Sequence, residues 1–298
     1  MKPWLLVDWG TSNVRAWVVD QAGHVLRQLD GPFGVGRIER GSAATVFADA
    51  IQAPLQAEGL PTLMCGMIGS ALGWAIAPYT QAPTGSESLA KTLLTVAPNA
   101  WIVPGIKTES PSRGPDIMRG EETQIIGWLA KGDAVSSGMH LLCLPGTHSK
   151  WALVSAGEII DFMTVMTGEL FELVSKHSIL AISKTAADDE SAFLEGVTCG
   201  DQAGGLGGAL FSARARMVTG CLSETSVPSF VSGVLIGNEI KSARAFASGI
   251  THVQLIGSPP LCHRYGLALH ACGMRGETMD GGEAVRAGLM SIARGLTP

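Results

Sequence analysis

Twice in this chain an apolar run breaks at a Gly-Thr pair and then starts again. Residues 5–17 read LLVDWGTSNVRAW, and residues 142–155 read LCLPGTHSKWALVS. Each figure is a strand, a polar turn and a second strand. Continuous apolar runs suit buried strands, and Gly, Thr, Ser and Asn supply the turn chemistry. The first copy ends its opening strand in an acid, Asp8, which the second copy lacks. Identity beyond Gly-Thr is marginal, so the likeness lies in the pattern. Two such hairpins about half a chain apart predict two structurally related domains, with a ligand cleft expected between them.

Length agrees, because 298 residues exceed the usual single core. The predicted boundary gives an N-terminal domain over 1–137 and a C-terminal domain over 138–298, cut at the small, polar segment KGDAVSSG. A chain that is 46% hydrophobic and 16% charged is not disordered. A net charge of -5 with no Lys/Arg run argues against nucleic acid as partner. The six cysteines show no C-x-x-C spacing, so a zinc site is not expected and reduced thiols in a cytosol fit. No signal-peptide pattern and no run of about 18 uncharged apolar residues is present. The expectation is a cytoplasmic protein with no membrane partner, and a homo-oligomer stays open.

Along the chain, residues 3–29 read as three short strands, with Asp20 and Gly23 in a hairpin turn. A helix is predicted over 42–58 and a strand in TLMCGMIGS. Residues 73–85 read as loop, 86–96 as a short helix and AWIVPGI as a strand. The proline-bearing KTESPSRGPDIMRGEE reads as loop, followed by a helix in EETQIIGWLA. LLCLP, WALVS and EIIDFMTV read as strands, and ELFELVSKHSIL as a helix. The remainder is mostly helical, broken by the strand VQLIG, with two closing helices.

A Gly-Thr hairpin suits phosphate. Gly lets the backbone come close to an anion, and the turn N–H groups and Thr hydroxyl donate to phosphate oxygens. An acid just before the turn can hold Mg²⁺ near the same phosphates. The device reads as a phosphate clamp used twice. The motif set is similar to that of the actin/hexokinase/Hsp70-type ATPase superfamily. Asp8-Trp9-Gly10-Thr11-Ser12 matches its first phosphate motif and Gly146-Thr147 its second. Leu255-Ile256-Gly257-Ser258 matches its adenosine motif, in the same order. The stretches VDWGTSNVRAW, CGMIGSALGW, DIMRGEETQIIG, LPGTHSKWALV and MTGELFELV together resemble the 2-dehydro-3-deoxygalactonokinase family.

The resemblance implies an α/β fold of two ribonuclease H-like domains, mixed β-sheets flanked by helices. It implies ATP and Mg²⁺ as cofactors, and a small-molecule sugar acid, 2-dehydro-3-deoxy-D-galactonate, phosphorylated at its 6-hydroxyl in galactonate catabolism. Asp8 would organise the metal. Gly10, Thr11, Ser12, Gly146, Thr147, His148, Gly257 and Ser258 would bind ATP. Related sugar kinases carry a catalytic Asp where this chain has Glu121, so Glu121 is the expected base, with Asp116 as its rival. Arg15, Arg113, Arg119 and Lys150 are the cations that could meet the substrate carboxylate, and Met67, Ser70 and Trp74 could face the sugar. Two alternatives remain at this point: a kinase of the same superfamily for another sugar or sugar acid, and an ATP-binding sensor without turnover. The chain has no Gly-Lys pair, G-x-S-x-G or H-E-x-x-H, which removes P-loop, serine-hydrolase and zincin readings.

Overall fold

Trp4–Trp9 (β1) is buried at every position but Asp8, as a strand at the centre of a covered sheet must be. It turns through Gly10 into Val14–Val19 (β2), with Asp8 opposite Arg15 across the antiparallel pair. Val25–Gly31 (β3) completes the meander. The computed structural model describes residues 2–131, 138–181 and 187–296.

The later strands are Thr62–Cys65 (β4), Tyr79–Gln81 (β5), Leu94–Ala97 (β6), Ala100–Ile102 (β7), Gly105–Ser110 (β8) and Gly114–Met118 (β9). They are followed by Met139–Leu144 (β10), Ser149–Ser155 (β11), Glu158–Val165 (β12), His252–Gly257 (β13) and Arg275–Asp280 (β14). The helices are Ala43–Val46 (α1), Ala53–Leu55 (α2), Ser86–Lys91 (α3), Glu121–Leu129 (α4), Thr167–His177 (α5), Glu190–Gln202 (α6), Leu206–Val218 (α7), Val227–Phe246 (α8), Pro259–Ala271 (α9) and Gly281–Arg294 (α10). A π-helical turn, Phe47–Gln52, joins α1 to α2.

One sheet runs β3-β2-β1-β4-β7-β6 and another β12-β11-β10-β13-β14. Both place the third, second and first strands side by side, then add parallel strands beyond the first. The repeat seen in the sequence is therefore a repeat of topology. A third, small sheet, β5-β8-β9, has no counterpart among the described strands.

The chain divides into two compact units: Met1–Met139 with Val154–Phe162 and Gly281–Pro298, and His140–Leu153 with Met163–Asp280. In the first unit a core of Leu5, Val7, Val18, Ile51, Met64 and Ile102 backs the sheet. The second unit holds two clusters, one around Trp151, Leu255 and Tyr265 and one around Phe230, Val231 and Val234.

Each unit also contains a helix pair that only glycine permits. A Cβ on Gly127 (α4) would overlap Ala284 O of α10, and one on Gly288 would overlap Thr123 O. In the second unit Gly196 and Gly200 of α6 meet Gly233 and Gly237 of α8 in the same way, backbone against backbone. The first of these pairs explains why α10 groups with the first unit although the sequence boundary puts it in the second half: it is fitted onto α4.

Four local expectations change. The stretch read as loop around Pro111 and Pro115 is the hairpin β8–β9. Pro111 lies in its turn, and Pro115 stands opposite Glu109. The helix expected over 86–96 stops at Lys91, and β6 follows. Tyr79–Gln81, read as loop, is a short strand paired with β8. RGETMD, lying between the two closing helices, is β14. Its composition hides it, because it is polar and largely exposed at the sheet edge and is held by its parallel ladder with β13. The linker segment lies mostly outside the described residues. No described helix is long and apolar enough to cross a membrane.

Candidate active site

The first-unit site begins at the Gly10–Asn13 turn. Gly10 N–H donates to Asn13 O at 3.0 Å, closing it. The segment after β3 holds it from one side: Val35, Gly36 and Gly34 N–H donate to the carbonyls of Gly10, Thr11 and Ser12 at 3.0, 2.9 and 3.2 Å. Any side chain on Gly34 would strike the Ser12 backbone. Asp8 Oδ2 accepts from Arg15 Nη2 at 2.6 Å and Nε at 3.2 Å, across the β1–β2 pair. Asp8, Gly10, Thr11, Ser12, Asn13, Arg15 and Asp30 line one cavity of about 710 Å³, and Arg15 stands opposite both acids, Asp8 and Asp30, in the sheet.

Beside Asp8 lie the end of β4 and the start of α4. Cys65 Sγ is 3.9 Å from Asp8 Oδ1. Burial pushes its thiol well up, and the negative charges of Asp8 and Glu122 add to the shift. Gly66, at φ +91°, lacks a Cβ that would stand 2.8 Å from Trp9 O and 3.5 Å from Asp8 Oδ1. Gly120 approaches Gly66 in turn, since a Cβ there would lie 3.3 Å from the Gly66 Cα. Two acids open α4 and fold back onto the chain before it. Glu121 Oε2 accepts from Arg119 N–H at 3.2 Å, and Glu122 Oε2 from Gly120 N–H at 2.6 Å. Glu122 is fully buried and also accepts from Thr123 Oγ1 at 2.9 Å. Burial, with the Glu121 charge beside it, raises its carboxyl to about 8.

The second-unit site gathers at the Gly146 turn. Glu169 N–H donates to Thr147 O at 3.1 Å, and a Cβ on Gly168 would sit 2.6 Å from Gly146 O. Gly257 ends β13 close to Pro145. Ser258 precedes α9, whose first two residues are prolines, a favoured helix start. A cavity of about 330 Å³ is lined by Gly146, Ser258 and mainly apolar residues including Phe171, Leu235, Leu261 and Tyr265. His148 Nε2 pairs with Glu169 Oε2 at 2.5 Å, both half-exposed.

The structure thus gathers Asp8, Gly10, Thr11, Ser12 and Arg15 around one cavity, and brings Gly146, Thr147, Gly257 and Ser258 together in the second unit. Asp116 lies on β9 opposite Thr108, and its Oδ1 accepts from Ile117 N–H. Arg113 pairs with Asp161 at 2.6 Å. Arg119 stacks over Tyr79 at 4.4 Å and donates to Ala77 O, while its Nη1 is buried without a partner. Ser70 Oγ donates to Met67 O in its own turn. Met67 and Trp74 pack on the first core, Trp74 against Phe47 at 5.4 Å, lining a different cavity. Lys150 is buried on β11 and donates to His148 O at 3.1 Å. Sequence reading missed Cys65, Glu122 and Asp30 in the first site, and Thr167, Tyr265 and Glu239 in the second. Cys65, Glu122 and Thr167 lie inside the resembling stretches CGMIGSALGW, DIMRGEETQIIG and MTGELFELV, whereas Asp30 and Glu239 carried no signal.

A family description, 2-keto-3-deoxy-galactonokinase, matches residues 8–292. The 2-dehydro-3-deoxygalactonokinase of Escherichia coli K12 is 36% identical over 294 residues, 98% of each chain. The crystal structure of a Sinorhizobium meliloti protein, provisionally named as a 2-dehydro-3-deoxygalactonokinase, is 35% identical and covers 99% of both chains with a TM-score of 0.89. Component A of the (R)-2-hydroxyglutaryl-CoA dehydratase of Acidaminococcus fermentans, at 12% identity and a TM-score of 0.53, shares the fold alone.

Proposed function

The chain belongs to the 2-keto-3-deoxy-galactonokinase family and is a kinase, and on that premise we propose that it transfers the γ-phosphoryl group of ATP to the 6-hydroxyl of 2-dehydro-3-deoxy-D-galactonate, a step of D-galactonate catabolism. One observation carries the reading. The two Gly-Thr turns occupy the same place in sheets that share the order third, second, first and then a parallel strand, and each borders a cavity, one polar and one apolar. The apolar cavity suits a nucleobase, and the polar one suits phosphate and sugar acid.

Phosphoryl transfer asks the protein for positioning and charge neutralisation. Mg²⁺ keeps several waters and takes one or two protein carboxylates. Asp8 fits that demand, and the missing Cβ of Gly66 leaves space beside its Oδ1. The ion would supply charge neutralisation at the phosphates. Among the described residues no cluster of three or more metal-ligating side chains occurs. The Gly10–Ser12 turn and Gly146–Thr147 receive phosphate oxygens, with His148 at the second turn, and Gly257 and Ser258 border the nucleoside. Glu121, oriented by the Arg119 N–H, accepts the proton of the attacking hydroxyl, and Asp116 is the rival. Arg15 and Arg119 meet the substrate carboxylate. The buried Nη1 of Arg119 has a donor that a carboxylate would satisfy. Met67 and Ser70 border the sugar, while Trp74 and Lys150 support the walls from behind.

Phosphorus-coupled NMR of the product tests the reading. Phosphate on the C6 methylene of the 2-dehydro-3-deoxy acid is expected. Phosphate on another sugar keeps the kinase and replaces its substrate. Free phosphate as the sole product contradicts the transfer.

A further inference from the structure

Glu239 is 1% exposed in the middle of α8, yet three donors from three different elements converge on its carboxylate. Trp151 Nε1 of β11 donates to Oε1 at 2.6 Å. Tyr265 OH of α9 donates to Oε2 at 2.8 Å, and Thr167 Oγ1, on the first residue of α5, donates to the same oxygen. Ser149 Oγ lies 3.0 Å from Tyr265 OH and extends the network to the strand after the Gly146 turn. A buried carboxylate is costly unless its oxygens are satisfied, and here the donors satisfy both.

Two of the three donors, Thr167 and Tyr265, line the 330 Å³ cavity, as do Leu235 and Ile236, one turn earlier on the same helix as Glu239. Glu239 itself stands behind that wall. Thr167 also fixes Gly168, whose backbone lies against Gly146 O, and Glu169, whose N–H holds Thr147 O. One carboxylate therefore ties the side wall of the cavity to the turn at its mouth.

We infer that Glu239 is a positioning residue for the nucleotide: through Thr167 and Tyr265 it holds the cavity wall and the Gly146–Thr147 turn in the geometry that receives a nucleoside triphosphate. It touches no substrate, and the inference rests on the ATP reading above. Its consequence is a division between substrates. Losing the tie loosens the nucleotide and leaves the sugar acid untouched, because every group it holds belongs to the second unit.

The experiment measures KM for ATP, KM for the sugar acid and kcat in Glu239→Leu, Glu239→Gln, Thr167→Val and the Glu239→Leu/Thr167→Val pair, with thermal midpoints beside them. Glu239→Leu strands three buried donors, and its KM for ATP should rise about tenfold, with the sugar-acid KM held within about twofold. Glu239→Gln keeps an acceptor for Trp151 and lets the hydroxyls reverse, so it should recover most of the loss. Thr167→Val should raise KM for ATP alone and add little on top of Glu239→Leu, because the two act as one unit. Should Glu239→Leu fail to fold, Thr167→Val and Glu239→Gln still decide the matter. A lowered thermal midpoint with both KM values unchanged, or both KM values moved together, makes Glu239 merely structural and overturns the inference. Titration of wild-type protein with a non-hydrolysable ATP analogue separates the two layers. Absence of binding there overturns the ATP reading and this inference with it, whereas normal binding with unmoved KM values in the variants overturns the inference alone.

Discussion

The two hairpins share a frame and differ in what they put on it. With Thr147 answering Thr11, Leu144 stands where Asp8 stands and Trp151 where Arg15 stands. The first copy thus has an ion pair at the strand end, with Asp8 still 18% exposed at a polar cavity. The second has two buried apolar side chains there, and its carboxylate, Glu239, has moved behind the wall, where it binds Trp151. The comparison separates two proposed uses of a buried or half-buried acid. A carboxylate that must meet a metal or phosphate needs a solvent path and a partner it can exchange. A carboxylate that must hold a wall needs full burial and fixed donors.

The sharpest way to break this comparison is to exchange the residues. Asp8→Asn should lower turnover by about 10²–10⁴-fold with the thermal midpoint little changed, and near-normal turnover would remove Asp8 from the metal role. Leu144→Asp, the reverse exchange, places an unpaired charge at a buried position. It should destabilise by about 3–5 kcal/mol in a denaturant titration, whereas full stability would show that the second hairpin tolerates an acid as the first does.

Glu121→Gln should abolish sugar phosphorylation and spare nucleotide binding measured by calorimetry; if Asp116→Asn does that instead, the base assignment passes to Asp116. Smaller effects are expected in the helix pairs. Gly127→Ala and Gly200→Ala should each cost about 1–3 kcal/mol, because the new methyl meets backbone. Gly208→Ala, with open space at the first turn of α7, should instead gain up to about 1 kcal/mol. Calorimetric scans that rank the three otherwise would contradict the close crossings.

A separate effect concerns pH. The folded protein keeps on Glu122 a proton that the unfolded chain releases, since the carboxyl is raised from 4.5 to about 8. Its contribution therefore makes stability fall as pH rises from near 4.5 to about 8, and levels off above that. Glu122→Gln should flatten that fall in denaturation curves measured across the range. A slope unchanged from wild type would place the titration elsewhere.

The hairpins, the Gly-Thr turns and the paired topology were legible because apolar runs and turn residues act locally. The β8–β9 hairpin was not, since Pro111 and Pro115 read as loop while the pairing that makes them a hairpin comes from partner strands. The polar β14 was hidden for the same reason. Asp8 could be read because it sits beside a recognisable turn. Glu239 and Glu122 could not, because burial is a property of packed neighbours. An acid between Asn238 and Ile240, or beside Glu121, looks in sequence like a solvated helix face. Trp74 shows how a packing contact also escapes the sequence. An aromatic in a Gly-rich loop invites a sugar-facing role, yet its ring packs on Phe47.

The most direct measurement is ADP release with ATP and Mg²⁺ against a panel of 2-dehydro-3-deoxygalactonate, its gluconate epimer, galactonate, simple hexoses and no sugar. Strong turnover confined to the 2-dehydro-3-deoxy acids, with the galactonate form preferred, is the result expected of the proposed sugar-acid kinase. A protein that binds ATP yet releases no ADP with any acceptor would contradict it.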